Sequence, residues 1–171
     1  ILGLGALAIG ASSVVLVDID HERSRCSVRN AGRLNAKVIQ ISSSWEELGL
    51  RPEIQNLEEG AVVVATCHID QPAEWTSDSS VVIMNPPFGT SIRGSDRIPI
   101  EAACAMKPRL IEIMHSRQAN HVESLILSNG YSTERRFNAK FELPRQADYH
   151  NSERSQTDVS VWRCMPQKSM L

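Results

Sequence analysis

The chain has 171 residues, 42% of them hydrophobic, with a formal net charge of −2. That composition suits one globular domain over 1–171 with a sizeable core, and no segment is long and apolar enough to cross a bilayer. The four cysteines, Cys26, Cys67, Cys104 and Cys164, are scattered without a Cys-x-x-Cys pair. This implies neither a zinc knuckle nor a disulfide framework and predicts a reducing, intracellular setting, cytoplasmic or nuclear. The apolar start, "ILGLGALAIGASSVV", lacks a basic n-region and does not read as a signal peptide.

In chain order, Leu2 to Ile9 reads as a short helix. "SVVLVDID", Ser13 to Asp20, is a β-branched run ending in acid, the pattern of a buried strand. Residues 35–60 fit the rhythm poorly and read as an insertion. Within it, "KVIQI" suits a short strand, and "SWEELG" suits a helical turn capped by Ser44 with Glu47 three residues on. Its polar end, Glu53 to Gly60, reads as a surface loop. "AVVVATCHID", Ala61 to Asp70, and "SSVVIMN", Ser79 to Asn85, are further buried strands, and Pro108 to Ser116 is a fourth. Ala119 to Tyr131 reads as a helix with Val122, Leu125 and Ile126 on one face and an Asn129-Gly130 stop. Arg135 to Pro144 and Ser155 to Cys164 follow as strands with no helix between them, which predicts an antiparallel hairpin at one edge. The whole predicts an α/β fold with a mostly parallel sheet covered on both faces. Trp45, Trp75 and Trp162 read as packing residues, and the tail from Pro166 as frayed.

The sharpest local signal is "VVIMNPPFGT", Val81 to Thr90. In open α/β sheets ligands bind at the carboxyl ends of the strands, and "VVIM" delivers Asn85 to that edge. Pro86 and Pro87 have no backbone N–H and cannot continue a ladder or a helix. Their stiff backbone fixes carbonyl directions, and Asn85 adds a side-chain carbonyl, giving a rigid set of acceptors. Phe88 adds a flat apolar face. Acceptors beside an aromatic plate suit a planar ligand with an amino group, such as a nucleobase. The bland alternative is a proline turn after a strand.

This stretch resembles the Asn-Pro-Pro-aromatic motif of amino-group methyltransferases that use S-adenosylmethionine. The resemblance implies a Rossmann-like methyltransferase fold. It also implies a mechanism in which the Asn85 side-chain oxygen and the Pro86 carbonyl accept the two N–H bonds of an exocyclic amine. Its lone pair is then localised toward the methyl sulfonium, while Phe88 stacks on the flipped-out base. "VIMNPPFGT" followed in order by "RGSD", "IEIMHS", "NHVE", "FELP", "DYH" and "DVSV" resembles the methyltransferase-like 5 family. That family methylates adenine N6 of small-subunit ribosomal RNA together with a Trm112-type activator protein. The resemblance implies S-adenosylmethionine as cofactor, ribosomal RNA as substrate and that activator as partner. The likeness is patchy away from the motif and leaves out 35–60.

On the cofactor side, Asp18 ends its strand, where a carboxylate can accept both ribose hydroxyls of an adenosine. The family uses its matching Asp so, and a helix cap is the alternative role for Asp18. Asp20 reads as the helix N-cap. Gly3-Leu4-Gly5 invites reading as the cofactor loop, but only about two helical turns fit between Gly5 and Val14. The glycine-rich loop and first strand would then precede Ile1, and Ile1 matches the residue after that loop, which lines the cofactor site in the family. Cys67-His68-Ile69 stands where the family has Cys-Asp-Val. His68 either bonds the adenine amine or is structural, Asp70 is the alternative, and Ile69 would offer its backbone N–H.

Near the carboxyl end the family's basic run is replaced by "DYHNSERSQ", whose sole cation is Arg154. Phosphate contacts supply most nucleic-acid affinity, so RNA docking is expected to depend on a partner or on ribosomal context. Arg93, Arg97, Arg135, Arg136, Lys140 and Arg145 form either a local patch or a scattered solvated face. Tyr149 and His150 match an aromatic-His pair that either shapes the base pocket or packs. Val62 to Thr66 is expected at a sheet edge, open to strand addition by the activator. Two other readings are a protein glutamine-N5 methyltransferase and an inactive remnant that binds a partner.

Overall fold

A computed structural model of the protein describes residues 1–87, 94–144 and 154–167, with backbone alone at 141–144 and 154–157. The chain forms two compact units, Ile1–Thr76 and Ser77–Leu171.

The first unit carries α1 (Leu2–Ala8), β1 (Val14–Asp18), α2 (His21–Arg33), β2 (Lys37–Ser42), α3 (Trp45–Leu48), α4 (Pro52–Gln55) and β3 (Ala61–Thr66). Its strands are all parallel in the order β1-β3-β2, with Val14 opposite Val62 and Lys37 opposite Ala61. Every residue of β3 is buried, as expected of a central parallel strand covered on both faces. This corrects the edge placement of Val62 to Thr66. "KVIQI" forms β2, a full partner on the far side of β3, so β3 has no open ladder for strand addition. An unbroken Val-rich run looks the same whether it is an edge strand under a cover or the middle of a sheet.

Local chemistry fixes the connections. Asp20 caps α2, accepting from the backbone N–H groups of Glu22 and Arg23 at 2.8 and 3.1 Å. Those two bonds hold its carboxyl below the usual range. Ser44 caps α3 by accepting from Glu47 N–H at 3.3 Å. The Trp45 and Trp75 rings sit 5.0 Å apart, and Trp75 donates its indole N–H to the Trp45 carbonyl at 3.1 Å. Gly49 makes this possible, because a Cβ there would lie 2.0 Å from the Trp75 ring.

The second unit carries β4 (Val81–Met84), α5 (Arg97–Ala105), β5 (Leu110–Ser116), α6 (His121–Ser128), β6 (Tyr131–Pro144) and β7 (Arg154–Pro166). Its sheet runs β4-β5-β7-β6. β4 is parallel to β5, while β7 is antiparallel to both β5 and β6. The late hairpin expected from the sequence is therefore present, with its register shifted between Arg135 and Phe137. Along β5 burial alternates, so Ile111, Ile113 and His115 face inward. The two isoleucines pack with Ile100, Val122, Ile126 and Trp162. Val82 and Met84 of β4 join the same core. Cys104 and Cys164 lie inside it as free thiols, each pushed up to about 12, mainly by burial. No helix among the described residues is long and apolar enough to cross a membrane.

Candidate functional site

Two strand ends carry the residues singled out by sequence. In the first unit, Asp18 closes β1 opposite Thr66. The Cys67 N–H donates to the Asp18 carbonyl at 2.9 Å, so the turn holding His68 and Ile69 leaves β3 beside Asp18. One Asp18 carboxylate oxygen accepts the Asp20 N–H at 3.0 Å. The other accepts no hydrogen bond among the described residues. A half-buried carboxylate with one oxygen uncommitted at a strand end fits a ribose diol. His68 is exposed and Ile69 half-buried. Ile1 is 95% exposed.

In the second unit, β4 pairs with β5 through Met84 opposite Ile113. The next residue, Asn85, is exposed, Pro86 is buried and Pro87 is exposed. The parity follows the strand: Val82, Met84 and Pro86 face the core, and Asn85 faces away from it. Its side chain makes no hydrogen bond among the described residues, which leaves the amide oxygen ready to accept. Phe88, Arg93, Arg145, Tyr149 and His150 lie outside the described residues. Arg136 pairs with Glu134 at 2.8 Å, and the Arg135 guanidinium lies 5.0 Å from the Trp162 ring centre. Both cations are thus engaged within the hairpin.

A third feature went unread in the sequence. Asp96 and His115 are each 1% exposed. His115 Nε2 lies 3.1 Å from Asp96 Oδ2, and His121 Nε2 shares a short hydrogen bond with the same oxygen. Asp96 sits at the N-cap of α5 yet makes no side-chain cap bond; its carboxylate serves the two histidines instead. Burial opposes ionisation of Asp96, but the His121 hydrogen bond, its own backbone N–H and the two imidazoles outweigh it and hold the carboxyl below its usual range. For His115 burial wins over the raising effect of Asp96, and the ring stays below its ordinary value. The signal available in sequence was parity: His115 continues the inward series Ile111, Ile113, and a buried imidazole requires a partner.

The sign of the His115 effect is testable. A folded-state value below the unfolded one means that the unfolded chain binds a proton the native chain refuses. Stability is therefore expected to fall as pH drops through about 6.5, the ordinary histidine value. Thermal melts from pH 7.5 to 5.5 should show that slope. His115→Gln, which keeps a polar side chain beside Asp96 but cannot be protonated, should flatten it.

No protein-family model matches the chain. An uncharacterised protein of Methanocaldococcus jannaschii is 23% identical over 162 residues, covering 95% of this chain and 67% of that protein. The crystal structure of a candidate RNA methyltransferase from Pyrococcus horikoshii superposes with a TM-score of 0.69 at 22% identity, over 95% of this chain and 68% of that one. A second crystal structure, of a Thermoplasma acidophilum protein, gives a TM-score of 0.63 at 20% identity, over 98% and 73%. Together with the strand order and the late antiparallel hairpin, these likenesses show that the chain has the α/β, Rossmann-like methyltransferase fold.

Proposed function

We propose that the protein is an S-adenosylmethionine-dependent methyltransferase acting on adenine N6 of small-subunit ribosomal RNA. The observation that carries this reading is the Asn85-Pro86 step. Pro86 is buried at the end of β4, which pins the backbone. Asn85 is exposed, and its amide has no competing partner among the described residues. An exocyclic amine is a poor nucleophile because its lone pair is delocalised into the ring. Two fixed acceptors, the Asn85 side-chain oxygen and the Pro86 carbonyl, can take its two N–H bonds and localise that pair. Phe88, next along the chain, would supply the stacking face for a base taken out of its stack. S-adenosylmethionine, when bound, supplies the methyl group on its sulfonium. Asp18 would hold its ribose, with His68 and Ile69 at its adenine.

The structural relative described as a candidate RNA methyltransferase supports this class of substrate. A Trm112-type activator remains part of the proposal, docking elsewhere than on β3. Asp18→Ala is expected to weaken S-adenosylhomocysteine binding by roughly tenfold or more, as the loss of charge-assisted bonds to a diol predicts. Titration calorimetry reads this directly, and unchanged affinity would remove Asp18 from the cofactor site.

The deciding experiment incubates the protein and its activator with labelled S-adenosylmethionine and small-subunit ribosomal RNA. The RNA is then digested to nucleosides. N6-methyladenosine is the expected product. Label on a glutamine-containing peptide loop but not on RNA would replace this reading with glutamine methylation. No transfer to either would sink both.

A further inference from the structure

We propose that Asp96 is a positioning residue that aims the Asn85-Pro86 acceptor pair by clamping the carboxyl edge beneath it. This inference rests on the methyl-transfer reading above. Met84, the last paired residue of β4, stands opposite Ile113 in a parallel pair, and Pro86 and His115 each follow two residues on. Both are buried, and both belong to the inward-facing series of their strands. One carboxylate oxygen of Asp96 meets His115 from the end of β5 and His121 from the first turn of α6. Asp96 itself begins α5, the helix reached by the chain after it leaves Pro87. A single buried carboxylate thus fastens three elements at the strand edge that carries the acceptors.

The ring nitrogens decide what kind of site this is. The three ligand-type atoms lie within 4.8 Å of one another, close enough to suggest a metal ion. However, the Ser116 backbone N–H donates to His115 Nδ1 at 2.8 Å. A neutral His115 then carries its proton on Nε2, the nitrogen that lies 3.1 Å from Asp96 Oδ2. A metal-bound histidine needs the opposite arrangement, with Nε2 bare and Nδ1 donating. The structure therefore favours one carboxylate held between two imidazole rings, hydrogen-bonded to His121 and in close contact with His115. His121 is 40% exposed, so its contact can be altered without opening the core.

The test uses Asp96→Asn, which offers the position shared by the two rings either an uncharged oxygen or an N–H in place of the charged oxygen that holds them both. Methyl transfer is measured well below the melting temperature of each variant. Asp96→Asn is expected to lower kcat by about 10- to 100-fold, the scale of a reacting group misplaced by a fraction of an ångström to an ångström, with cofactor affinity unchanged. His121→Gln, which keeps an N–H donor for Asp96, should retain near-normal kcat, and His121→Ala should not. A folded Asp96→Asn with normal kcat would overturn the proposal, as would stoichiometric Zn²⁺ binding by the wild type that Asp96→Asn abolishes. Wild-type protein without any methyl transfer would instead count against the methyltransferase reading. In that case amide hydrogen exchange judges the clamp alone: faster exchange at Asn85 and at the start of α5 in Asp96→Asn supports it, and unchanged exchange overturns it.

Discussion

Asn85→Ala is expected to reduce methyl transfer by at least about 100-fold, the cost of losing a fixed polar group at a reacting centre, while the protein stays folded. Stability should hardly move. Asn85 is exposed at the end of β4 and makes no hydrogen bond among the described residues, and truncations at such positions usually fall within about 0.5 kcal/mol. The loss should appear in kcat more than in KM, because the amide acts on the lone pair of the reacting amine and contributes little to holding the rest of the RNA. Single-turnover assays beside a denaturation curve separate these effects. A variant with wild-type kcat would show that the Asn85 oxygen does not touch the acceptor amine, and the proline step would revert to a turn.

Trp162→Ala is expected to be the most damaging of the packing substitutions, costing about 3–5 kcal/mol by analogy with other buried aromatic truncations. Trp162 is 1% exposed and stands opposite Ile113 across the β5–β7 ladder. It packs into the cluster formed by Ile100, Ile111, Val122 and Ile126. Its outer side carries the Arg135 guanidinium at 5.0 Å, a contact worth about 0.5–1 kcal/mol where solvent reaches it. A loss of this size is a large part of the 5–15 kcal/mol typical of a domain. The urea midpoint should shift strongly, with part of the protein unfolded even in buffer. A shift under 1 kcal/mol would mean that β7 does not seal the β5 face in solution.

The strands were legible because each is a compact β-branched run with clear punctuation. β1, β3, β4 and β5 fall within the segments read from sequence, while β6 and β7 run past theirs, β6 beginning at Tyr131 where the helix was expected to end. Caps were legible too: Asp20 and Ser44 make the bonds their positions predicted. Neighbour relations were not, because lateral order is a tertiary property. Sequence places β3 at an edge, since nothing in "AVVVAT" tells one partner from two. α5 escaped notice because "RIPIEAACA" is short and carries Pro99 in its first turn. There a missing N–H is tolerated, since the first N–H groups of a helix have no partner within it. The Asp96–His115–His121 cluster draws on three separated stretches. Each resembles the family on its own, but only the packing of α5 and α6 against β5 joins them. Asn85 was the opposite case, since its chemistry and its position at a strand end lie in five consecutive residues.

The long hairpin has a consequence for life at high concentration. β6 is the outermost strand of its sheet, fourteen residues long, and such a border offers its free backbone groups to any other extended chain. Two devices blunt that invitation. The register slip between Arg135 and Phe137 bends the border away from a flat template. Glu134, Arg135, Arg136 and Lys140 place charge along it, so a second copy lying alongside in register would set like charges together. The strand that closes this sheet thus carries its own protection against filament growth, written in the residues around the slip and independent of the chemistry at the other end of the sheet.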